Sequence, residues 1–516
     1  MEHASDSEPG LYSVFSKGAQ IASGRPALDF PRSQVSYHEL QSMAESVAAD
    51  IESGLDSRPA RVGLLATHCP ETYAGYLGIA RTGAAVVPMN PAQPMARNAA
   101  VAREAGLDLL LTCDVDPVAI RDLTTAPVLD LTANRWVRRG QAGHPSGGAG
   151  PRQADIAYLL FTSGSTGRPK GVPVGNRAVM AYLRRALARY RFAPGDRLSH
   201  SFALTFDLSV FDLFCAWGAG ATVVVPSADQ ARLPVRYVNE RGLTNWFSVP
   251  SAISVADQMR TLKPGSMPAL RWSLFCGEAL SYRQASAWQT AAPASVVENL
   301  YGPTELTVSC SAFRLPAHQA DWPATETDTV PLGEPHDGLE FLILDHDGRP
   351  AQEGELCVRG RQRFDGYVDR SDNAGRFVQT DGTAASVITP DSWYRTGDLV
   401  RRNADGELVF LSRLDDQLKI NGYRAEPGEI EAQLRRHPGI AEAVIVPRPG
   451  PATIELHAFY VGTETAERVL SAFLTERLPP YLVPRRYQRL DSLPRTANGK
   501  IDRKSLRAEA DRATRR

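Results

Sequence analysis

The sequence has little that would place the chain in a membrane or on a nucleic acid. Its 516 residues contain no run close to the roughly 18 consecutive apolar residues of a membrane-spanning helix. The 57 basic and 58 acidic residues leave a formal net charge of −1, whereas a nucleic-acid-binding protein normally has a basic excess. The polar, acidic start MEHASDSEPG is unlike a secretory signal. We therefore expect no nucleic-acid partner and no membrane partner.

Cysteine is also scarce. The chain has six cysteines, namely Cys69, Cys113, Cys215, Cys276, Cys310 and Cys357. They are scattered, with neither a C-x-x-C pair nor the spacing of metal ligands. This distribution favours a reducing compartment, so we expect the protein to be cytoplasmic.

The residues that are abundant predict a large α/β protein. Hydrophobic residues make up 43% of the chain and charged residues 22%, which is typical of globular proteins with large cores. Strand-like segments such as AYLLFT (157–162) and ATVVVP (221–226) alternate with helical patterns such as residues 178–190. The Gly-, Pro- and Ser-rich residues 141–152 predict a surface loop. We expect an α/β fold whose large N-terminal domain contains stacked mixed or parallel sheets with helices.

The pattern changes near residue 413. Beyond this point GEIEAQLRRH and ERVLSAFLTERL have helical spacing, and EAVIVPR and ELHAFYVG resemble strands. These segments suffice for a small α+β domain of roughly 100 residues. We therefore expect two domains, 1–413 and 414–516.

A loop suited to phosphate oxygens follows the predicted strand at 157–162. The decapeptide TSGSTGRPKG, from Thr162 to Gly171, has three glycines and four hydroxyl residues whose amides and hydroxyls can surround phosphate. It is not a Walker loop, because Lys170 follows Pro169 and not a glycine. An ordinary solvated turn is the alternative, but the whole decapeptide is more specific than a generic glycine-rich stretch.

Four further segments complete a family pattern. They are NLYGPTE (299–305), YRTGD (394–398), RLDDQLKINGYRAEPGEIE (413–431) and PRTANGKIDRK (494–504). With the phosphate loop, they make the chain resemble the superfamily of acyl-CoA synthetases, luciferases and peptide-synthetase adenylation domains. The strongest resemblance is to the amino-acid-activating branch, which includes D-alanine:carrier-protein ligases. It extends over nearly the whole chain.

The resemblance implies ATP and Mg²⁺ as cofactors. Glu305 would help to hold Mg²⁺, which prefers oxygen ligands, and Asp398 would accept hydrogen bonds from both ribose hydroxyls. Tyr301 would stack on adenine. The alternative for Asp398 is an ordinary aspartate in a turn, and the alternative for Tyr301 is a tyrosine of the hydrophobic core. The implied nucleotide-binding residues are Thr162, Ser163, Gly164, Ser165, Thr166, Gly167, Lys170, Asn299, Tyr301, Gly302, Thr304, Asp398, Arg413 and Lys500.

The resemblance also implies one lysine for each of two reaction steps. Lys500 would stabilise the attack of a carboxylate on the α-phosphorus, where negative charge develops. Asp415 matches a hinge, so we expect the small domain to be mobile. Its rotation would bring in Lys419, which is implied in the later transfer to a thiol. With Glu305 and Thr162, the two lysines form the implied catalytic set.

The acid to be activated is indicated by Asp207. In the amino-acid branch an aspartate here pairs with the substrate ammonium, and a buried carboxylate needs such a partner; a helix-start aspartate is the alternative. The other implied pocket residues are mostly apolar and uncharged. They are Leu208, Phe211, Ser248, Leu274, Cys276, Gly277, Leu300, Val308 and Ser309.

This pocket predicts a small amino acid. Alanine is favoured, followed by serine, cysteine or glycine, and the choice between D- and L-alanine stays open. Cys276 is expected to pack against the substrate and not to act as a nucleophile.

The expected reaction is ATP-dependent formation of an aminoacyl-AMP with release of pyrophosphate, then transfer to a phosphopantetheine thiol. Few residues follow Lys500, so we expect the thiol on a separate acyl- or peptidyl-carrier protein. Three alternatives remain: an acyl-CoA synthetase for a non-amino acid, a non-catalytic nucleotide-binding homologue, and amide or ester transfer without a carrier.

Overall fold

Strands are distributed along the whole of the chain that the structure describes. The computed structural model describes residues 10–116, 118–138, 155–164, 168–450, 452–495 and 501–514. The predicted loop 141–152 therefore lies outside the described residues. Over these ranges the strands are β1 (Pro26–Asp29), β2 (Gln34–Ser36), β3 (Arg61–Ala66), β4 (Ala85–Met89), β5 (Leu109–Cys113), β6 (Val128–Asp130), β7 (Arg135–Arg138), β8 (Ile156–Thr162), β9 (Lys170–Gly175), β10 (Arg197–Ser199), β11 (Thr222–Val224), β12 (Asn245–Ser248), β13 (Trp272–Phe275), β14 (Val296–Tyr301), β15 (Ser311–Arg314), β16 (Glu334–Pro335), β17 (Leu339–Leu344), β18 (Glu353–Gly360), β19 (Phe377–Val378), β20 (Trp393–Arg402), β21 (Leu408–Arg413), β22 (Leu418–Ile420), β23 (Tyr423–Ala425), β24 (Ile440–Pro449), β25 (Ile454–Gly462) and β26 (Arg486–Arg489).

Helices alternate with these strands, and their ends follow from local sequence. At the start of the second helix, Ser36 and Glu39 form a capping box in which the Ser36 amide donates to the Glu39 carboxylate at 2.8 Å. Within the described residues, no helix has both the length and the apolar character needed to cross a membrane. The helices are α1 (Leu11–Ala22), α2 (Tyr37–Gly54), α3 (Pro70–Thr82), α4 (Met95–Ala105), α5 (Asn176–Tyr190), α6 (Leu208–Gly218), α7 (Ala228–Ala231), α8 (Pro234–Glu240), α9 (Ser251–Gln258), α10 (Tyr282–Ala291), α11 (Pro427–Leu434), α12 (Glu467–Thr475) and α13 (Arg503–Thr514).

Two large mixed sheets form most of the molecule. In the described residues one has nine strands, in the order β16-β15-β14-β13-β12-β10-β11-β1-β2, and the other has seven, in the order β7-β6-β5-β3-β4-β8-β9. The inner pairs β10–β12, β12–β13 and β13–β14 are parallel, whereas edge pairs such as β14–β15 are antiparallel. The carboxyl ends of β12, β13 and β14 therefore lie at one edge, where ligands bind in open α/β sheets.

A continuous hydrophobic core joins the two sheets. It contains buried side chains from strands of both sheets and from α1, α2, α3, α5 and α6. Phe15 of α1, for example, is fully buried, with its ring 5.5 Å from Trp217 of α6 and 5.8 Å from Tyr37 of α2. Aromatic contacts of this kind fix the position of α6, the helix that begins directly after Asp207.

Residues after Arg413 form separate sheets with cores of their own. Strands β24, β25 and β26 make a three-stranded sheet, and β22 pairs with β23 as a hairpin. Ile430 and Leu434 of α11 pack with Leu470 and Leu474 of α12 in one of these cores. The predicted α/β class, with a large N-terminal and a small C-terminal domain, is confirmed. The boundary at 413/414 stays a prediction.

Two of the scattered cysteines meet in the fold. The Sγ atoms of Cys69, which directly precedes α3, and Cys113, at the end of β5, are adjacent although the two residues are 44 positions apart in the sequence. The sequence spacing did not reveal the pair, because β3 and β5 become neighbours only when the sheet forms. The free cysteines within the described ranges, Cys215, Cys276, Cys310 and Cys357, are all buried.

Candidate active site

The candidate site lies where the carboxyl ends of the parallel strands meet the small domain. A central cleft of about 1150 Å³, counting its open mouth, lies between these strand ends and the hairpin β22–β23. A lateral cleft of about 1480 Å³ adjoins it and shares Gly277, Asp398, Arg413, Gln417 and Lys419 with it. Clefts at such strand ends are the usual ligand sites of α/β proteins.

Asp207 occupies the start of α6 without capping it. Its side chain makes no cap hydrogen bond, so the structure does not support the helix-cap alternative. The residue is 7% exposed, and its carboxylate accepts a hydrogen bond from the Val308 amide at 3.2 Å. Burial raises the pKa of Asp207 to about 7, although the Val308 amide and the Thr304 hydroxyl act in the opposite direction. A buried carboxyl with this environment can gain an ammonium group as its partner.

The Val308 amide is aimed by an unusual backbone turn. Thr307 and Val308 have φ values of 61° and 66°, which β-branched residues rarely adopt. Each such backbone conformation costs of order 1–3 kcal/mol of conformational free energy, and it persists where packing and hydrogen bonds around it hold the residue in place. The turn follows the 3₁₀ segment Thr304–Leu306 and directs an N–H group at Asp207.

The predicted pocket residues divide into lining and supporting positions. Leu208, Cys276 and Gly277 line the central cleft with Asp207, and Leu300 lines the lateral cleft. Buried positions outside both linings are Phe211, Ser248, Leu274, Val308 and Ser309. The other predicted pocket residues that line either cleft, Leu208, Cys276, Gly277 and Leu300, are therefore all uncharged.

Cys276 has the properties of a packing residue. It is 1% exposed, and burial raises the pKa of its thiol to about 12. A thiol is nucleophilic as the thiolate, which this environment disfavours.

A chain of polar contacts joins Tyr301 to the predicted hinge. The Tyr301 hydroxyl donates to Oδ2 of Asp398 at 2.5 Å, and Arg413 Nη1 donates to Oδ1 at 2.7 Å. Arg413 also binds both oxygens of Asp415, at 2.7 and 2.9 Å. Burial raises the pKa of Tyr301 well above its usual value, which keeps the phenol a donor. Asn299 lines the lateral cleft beside Tyr301, and its amide donates to the Pro331 carbonyl at 2.8 Å.

Glu305 and Thr162 have the oxygen atoms that a magnesium site requires. Glu305 is fully buried, and its Oε1 accepts from the Tyr367 hydroxyl at 2.5 Å and from Arg424 at 2.8 Å. Among the described residues, neither Glu305 Oε2 nor Thr162 Oγ1 has a hydrogen-bond partner, although both are buried. Burial would raise the pKa of Glu305, but Arg424 and Tyr367 lower it to about 2, so the carboxyl is ionised, as a ligand of Mg²⁺ must be, and in this arrangement Arg424 is its cationic partner.

The structure describes part of the predicted phosphate loop. Thr162 and Ser163 line the central cleft, and so do Gly302 and Thr304 from the loop after β14. Gly164 packs closely, since a Cβ there would lie 2.3 Å from the Arg168 carbonyl oxygen. Ser165, Thr166 and Gly167 are outside the described residues.

The three predicted lysines have different outcomes. Lys170, at the start of β9, does not line the clefts; its Nζ lies 3.5 Å from Asp372 and 5.7 Å from the Tyr367 ring centre. Lys419 lies in the site, with Nζ 5.9 Å from the centre of the Tyr301 ring. Lys500 falls outside the described residues.

Sequence reasoning missed the residues around Lys419 that hold the hairpin in place. Gly422 donates its N–H to Glu278 at 2.9 Å, and Ser163 donates its hydroxyl to the Arg424 carbonyl at 2.6 Å. Asn421 and Gly422 form the turn, with φ values of 52° and 79°. Asn-Gly is the strongest short-range hairpin signal, so the sequence did contain a clue.

Comparison with known proteins agrees with this geometry. The family described as AMP-binding enzyme matches residues 15–368, and the AMP-binding enzyme C-terminal domain matches residues 429–500. The curated relative phosphinothricin tripeptide synthetase PhsC, from Streptomyces viridochromogenes, is 34% identical over 515 residues, covering 96% of this chain. The chain spans 45% of PhsC and smaller shares of other synthetases, so it matches a part of each.

Two solved structures match over nearly their full length. IdnL7 is 37% identical with a TM-score of 0.70, over 98% of this chain and 99% of that one. The Vibrio cholerae adenylation domain AlmE, in complex with glycyl-adenosine-5′-phosphate, is 26% identical with a TM-score of 0.80, over 99% of each chain. The chain therefore belongs to the AMP-binding enzyme family of adenylate-forming ligases, as an adenylation domain of the type found in nonribosomal peptide synthetases.

Proposed function

We propose that this adenylation domain activates a small amino acid, alanine before serine, cysteine or glycine, and passes it to the thiol of a carrier protein. The observation that most supports an amino acid is Asp207. Its buried carboxylate has no ion-pair partner among the described residues, and it faces the central cleft. A substrate ammonium would supply the missing positive charge, whereas a simple carboxylic acid would leave the carboxyl unpaired.

The preference for a small side chain rests on the surfaces beside Asp207. Leu208 and Cys276 line the cleft, and Phe211, Leu274 and Val308 are buried in the same hydrophobic core as these two residues. None offers a charge to a substrate side chain. AlmE, which was solved with the adenylate of glycine, shows that a domain of similar fold accepts a small amino acid.

In the first step, a carboxylate oxygen of the amino acid attacks the α-phosphorus of ATP, and the bond to the leaving pyrophosphate breaks. Thr162, Ser163 and Thr304 would contact phosphate oxygens from the cleft wall, and Asp398 with Tyr301 would orient the nucleoside. Mg²⁺, when bound at Glu305, neutralises phosphate charge. Lys500 is the proposed cation for the developing charge.

In the second step, a thiolate sulfur attacks the carbonyl carbon of the adenylate and AMP leaves. Lys419 lies at the junction of the two clefts and is proposed to support this step electrostatically. A carrier protein supplied as a separate chain is the proposed donor of the thiol.

The test is a loading reaction followed by intact mass spectrometry. The enzyme is incubated with ATP, Mg²⁺, alanine and a phosphopantetheine-bearing carrier protein, and in parallel with coenzyme A in place of the carrier. We expect the carrier mass to increase by one alanyl group and coenzyme A to remain largely unmodified. Efficient acylation of coenzyme A by a non-amino carboxylic acid, with no loading of the carrier, would instead favour an acyl-CoA synthetase.

A further inference from the structure

The hairpin β22–β23 is docked into the large domain by several independent contacts. Its Gly422 amide is bound by Glu278, and the Tyr423 ring packs edge-on against Phe206 at 4.6 Å. Gly277 lies beside the turn of the hairpin, since a Cβ placed on it would be 3.7 Å from the Gly422 Cα, an ordinary van der Waals distance. A buried ion pair between Arg97 and Glu429, at 2.5 Å, fastens the following helix α11 to α4.

Arg424 makes the contact that bears on catalysis. Its Nη1 lies 2.8 Å from Oε1 of Glu305, whose side chain is fully buried. Glu305 is the carboxylate that would hold Mg²⁺, with its second oxygen and the Thr162 hydroxyl as further oxygen atoms without partners among the described residues. The same glutamate is thus the partner of a protein cation in the docked arrangement and the ligand of a metal cation during adenylation.

Simultaneous binding of the Arg424 guanidinium and Mg²⁺ to the Glu305 carboxylate is energetically unfavourable. A guanidinium and a divalent ion on one buried carboxylate repel each other strongly, because the low dielectric of the interior screens them little. The Arg424 backbone adds a second overlap, since its carbonyl takes the hydroxyl of Ser163, a residue of the phosphate loop. Docking of the hairpin therefore occupies the Glu305 carboxylate and the Ser163 hydroxyl, which would otherwise be available to the metal and the nucleotide phosphates.

We propose that Arg424 replaces Mg²⁺ at Glu305, so that the hairpin docks for thiol transfer after the metal has left the site. Arg424 is a positioning residue in this scheme, because it acts through Glu305 and through the placement of Lys419 on the same hairpin. The exchange of one cation for another keeps Glu305 ionised throughout. Release of the metal is thereby coupled to the arrangement required for the second step. The inference rests on the proposed function, since it assigns Arg424 to the thiol step.

The test measures the domain arrangement directly and uses neither amino acid nor carrier protein. Spin labels are attached to Val387→Cys in the large domain and Val469→Cys in the small domain, two exposed positions, while the free cysteines in the described part of the chain are buried. Distances between the labels are recorded by pulsed electron spin resonance, with AMP bound, as Mg²⁺ is raised into the millimolar range. Arg424→Gln is compared with Arg359→Gln, which removes an arginine from an exposed pair with Glu340.

For the unsubstituted enzyme and for Arg359→Gln, we expect the docked population to fall at least about twofold as Mg²⁺ is added. In Arg424→Gln the docked population should be small without Mg²⁺ and should not respond to it, and Arg424→Lys should restore part of the response. A docked population that ignores Mg²⁺ in the unsubstituted enzyme, or an unchanged response in Arg424→Gln, would overturn the proposal. Failure of the carrier-loading reaction alone would contradict the proposed function and leave this coupling intact.

Discussion

At the scale of single residues, Asp207 is the position where burial and charge oppose each other most clearly. It is almost inaccessible to solvent, and its carboxylate accepts a hydrogen bond from the Val308 amide at 3.2 Å. Because burial raises its pKa to about 7, the free enzyme near neutral pH contains both protonation states. Binding of a substrate ammonium would favour the ionised state, so substrate capture should depend on pH.

We expect kcat/KM for the amino acid to fall about tenfold for each pH unit below about pH 7, because the protonated carboxyl cannot pair with the ammonium. The rate is measured by trapping the adenylate with hydroxylamine between pH 5.5 and 8.5. Asp207→Asn should show a much lower kcat/KM with no inflection in this range. An inflection of the same size in Asp207→Asn would assign the ionisation to another group.

Site residues that belong to a sequence motif could be predicted. Site residues that are brought together only by the three-dimensional fold could not. Thr162, Tyr301, Glu305 and Asp398 belong to recognisable segments, and the structure brings all of them to the edge of the clefts or into hydrogen bonds there. The ion pair of Arg424 with Glu305 spans 119 residues of sequence and depends on how the domains meet. The roles of Thr162, Tyr301, Glu305 and Asp398 in binding ATP and Mg²⁺ stay predictions.

At the scale of secondary-structure elements, the hairpin β22–β23 controls how closely the small domain can approach. Gly422 has a φ of 79°, and a Cβ there would lie 2.3 Å from Cγ1 of Val249. A side chain at this position is therefore both strained and in collision with the large domain.

We expect Gly422→Ala to slow thiol transfer from preformed adenylate at least about tenfold, while adenylate formation stays within about twofold of the unsubstituted rate. The matched control is Gly406→Ala, because Gly406 has a similar φ of 82° but no atom within 4 Å of an added Cβ. Single-turnover loading of the carrier from preformed adenylate measures thiol transfer, and pyrophosphate exchange measures adenylate formation. Equal effects of the two substitutions on loading would mean that backbone strain, and not the docked hairpin, is responsible.

Element positions followed closely from periodicity. The predicted strand 157–162 lies within β8 (Ile156–Thr162), and the predicted helix 178–190 lies within α5 (Asn176–Tyr190), because each has a clear apolar repeat. The turn at Thr307 and Val308 could not be predicted, since β-branched residues disfavour positive φ and the surrounding packing overrides that preference.

At the scale of the whole molecule, two parts of the chain share one site. The large part supplies Asp207, Glu305 and Asp398, and the small part supplies Lys419 and Arg424. Composition and strand–helix alternation were sufficient to predict the α/β class and the small C-terminal domain. The relative position of the two parts was not predictable, because it depends on contacts such as Arg97–Glu429 that join distant segments.

The most direct test of the central claim is amino-acid-dependent exchange of pyrophosphate into ATP, measured across the common L- and D-amino acids and several β-amino acids. We predict a clear maximum at alanine or another small amino acid, which would support both the adenylation of an amino acid and the pocket around Asp207. Silence with every amino acid, together with exchange driven by a simple carboxylic acid, would contradict the account.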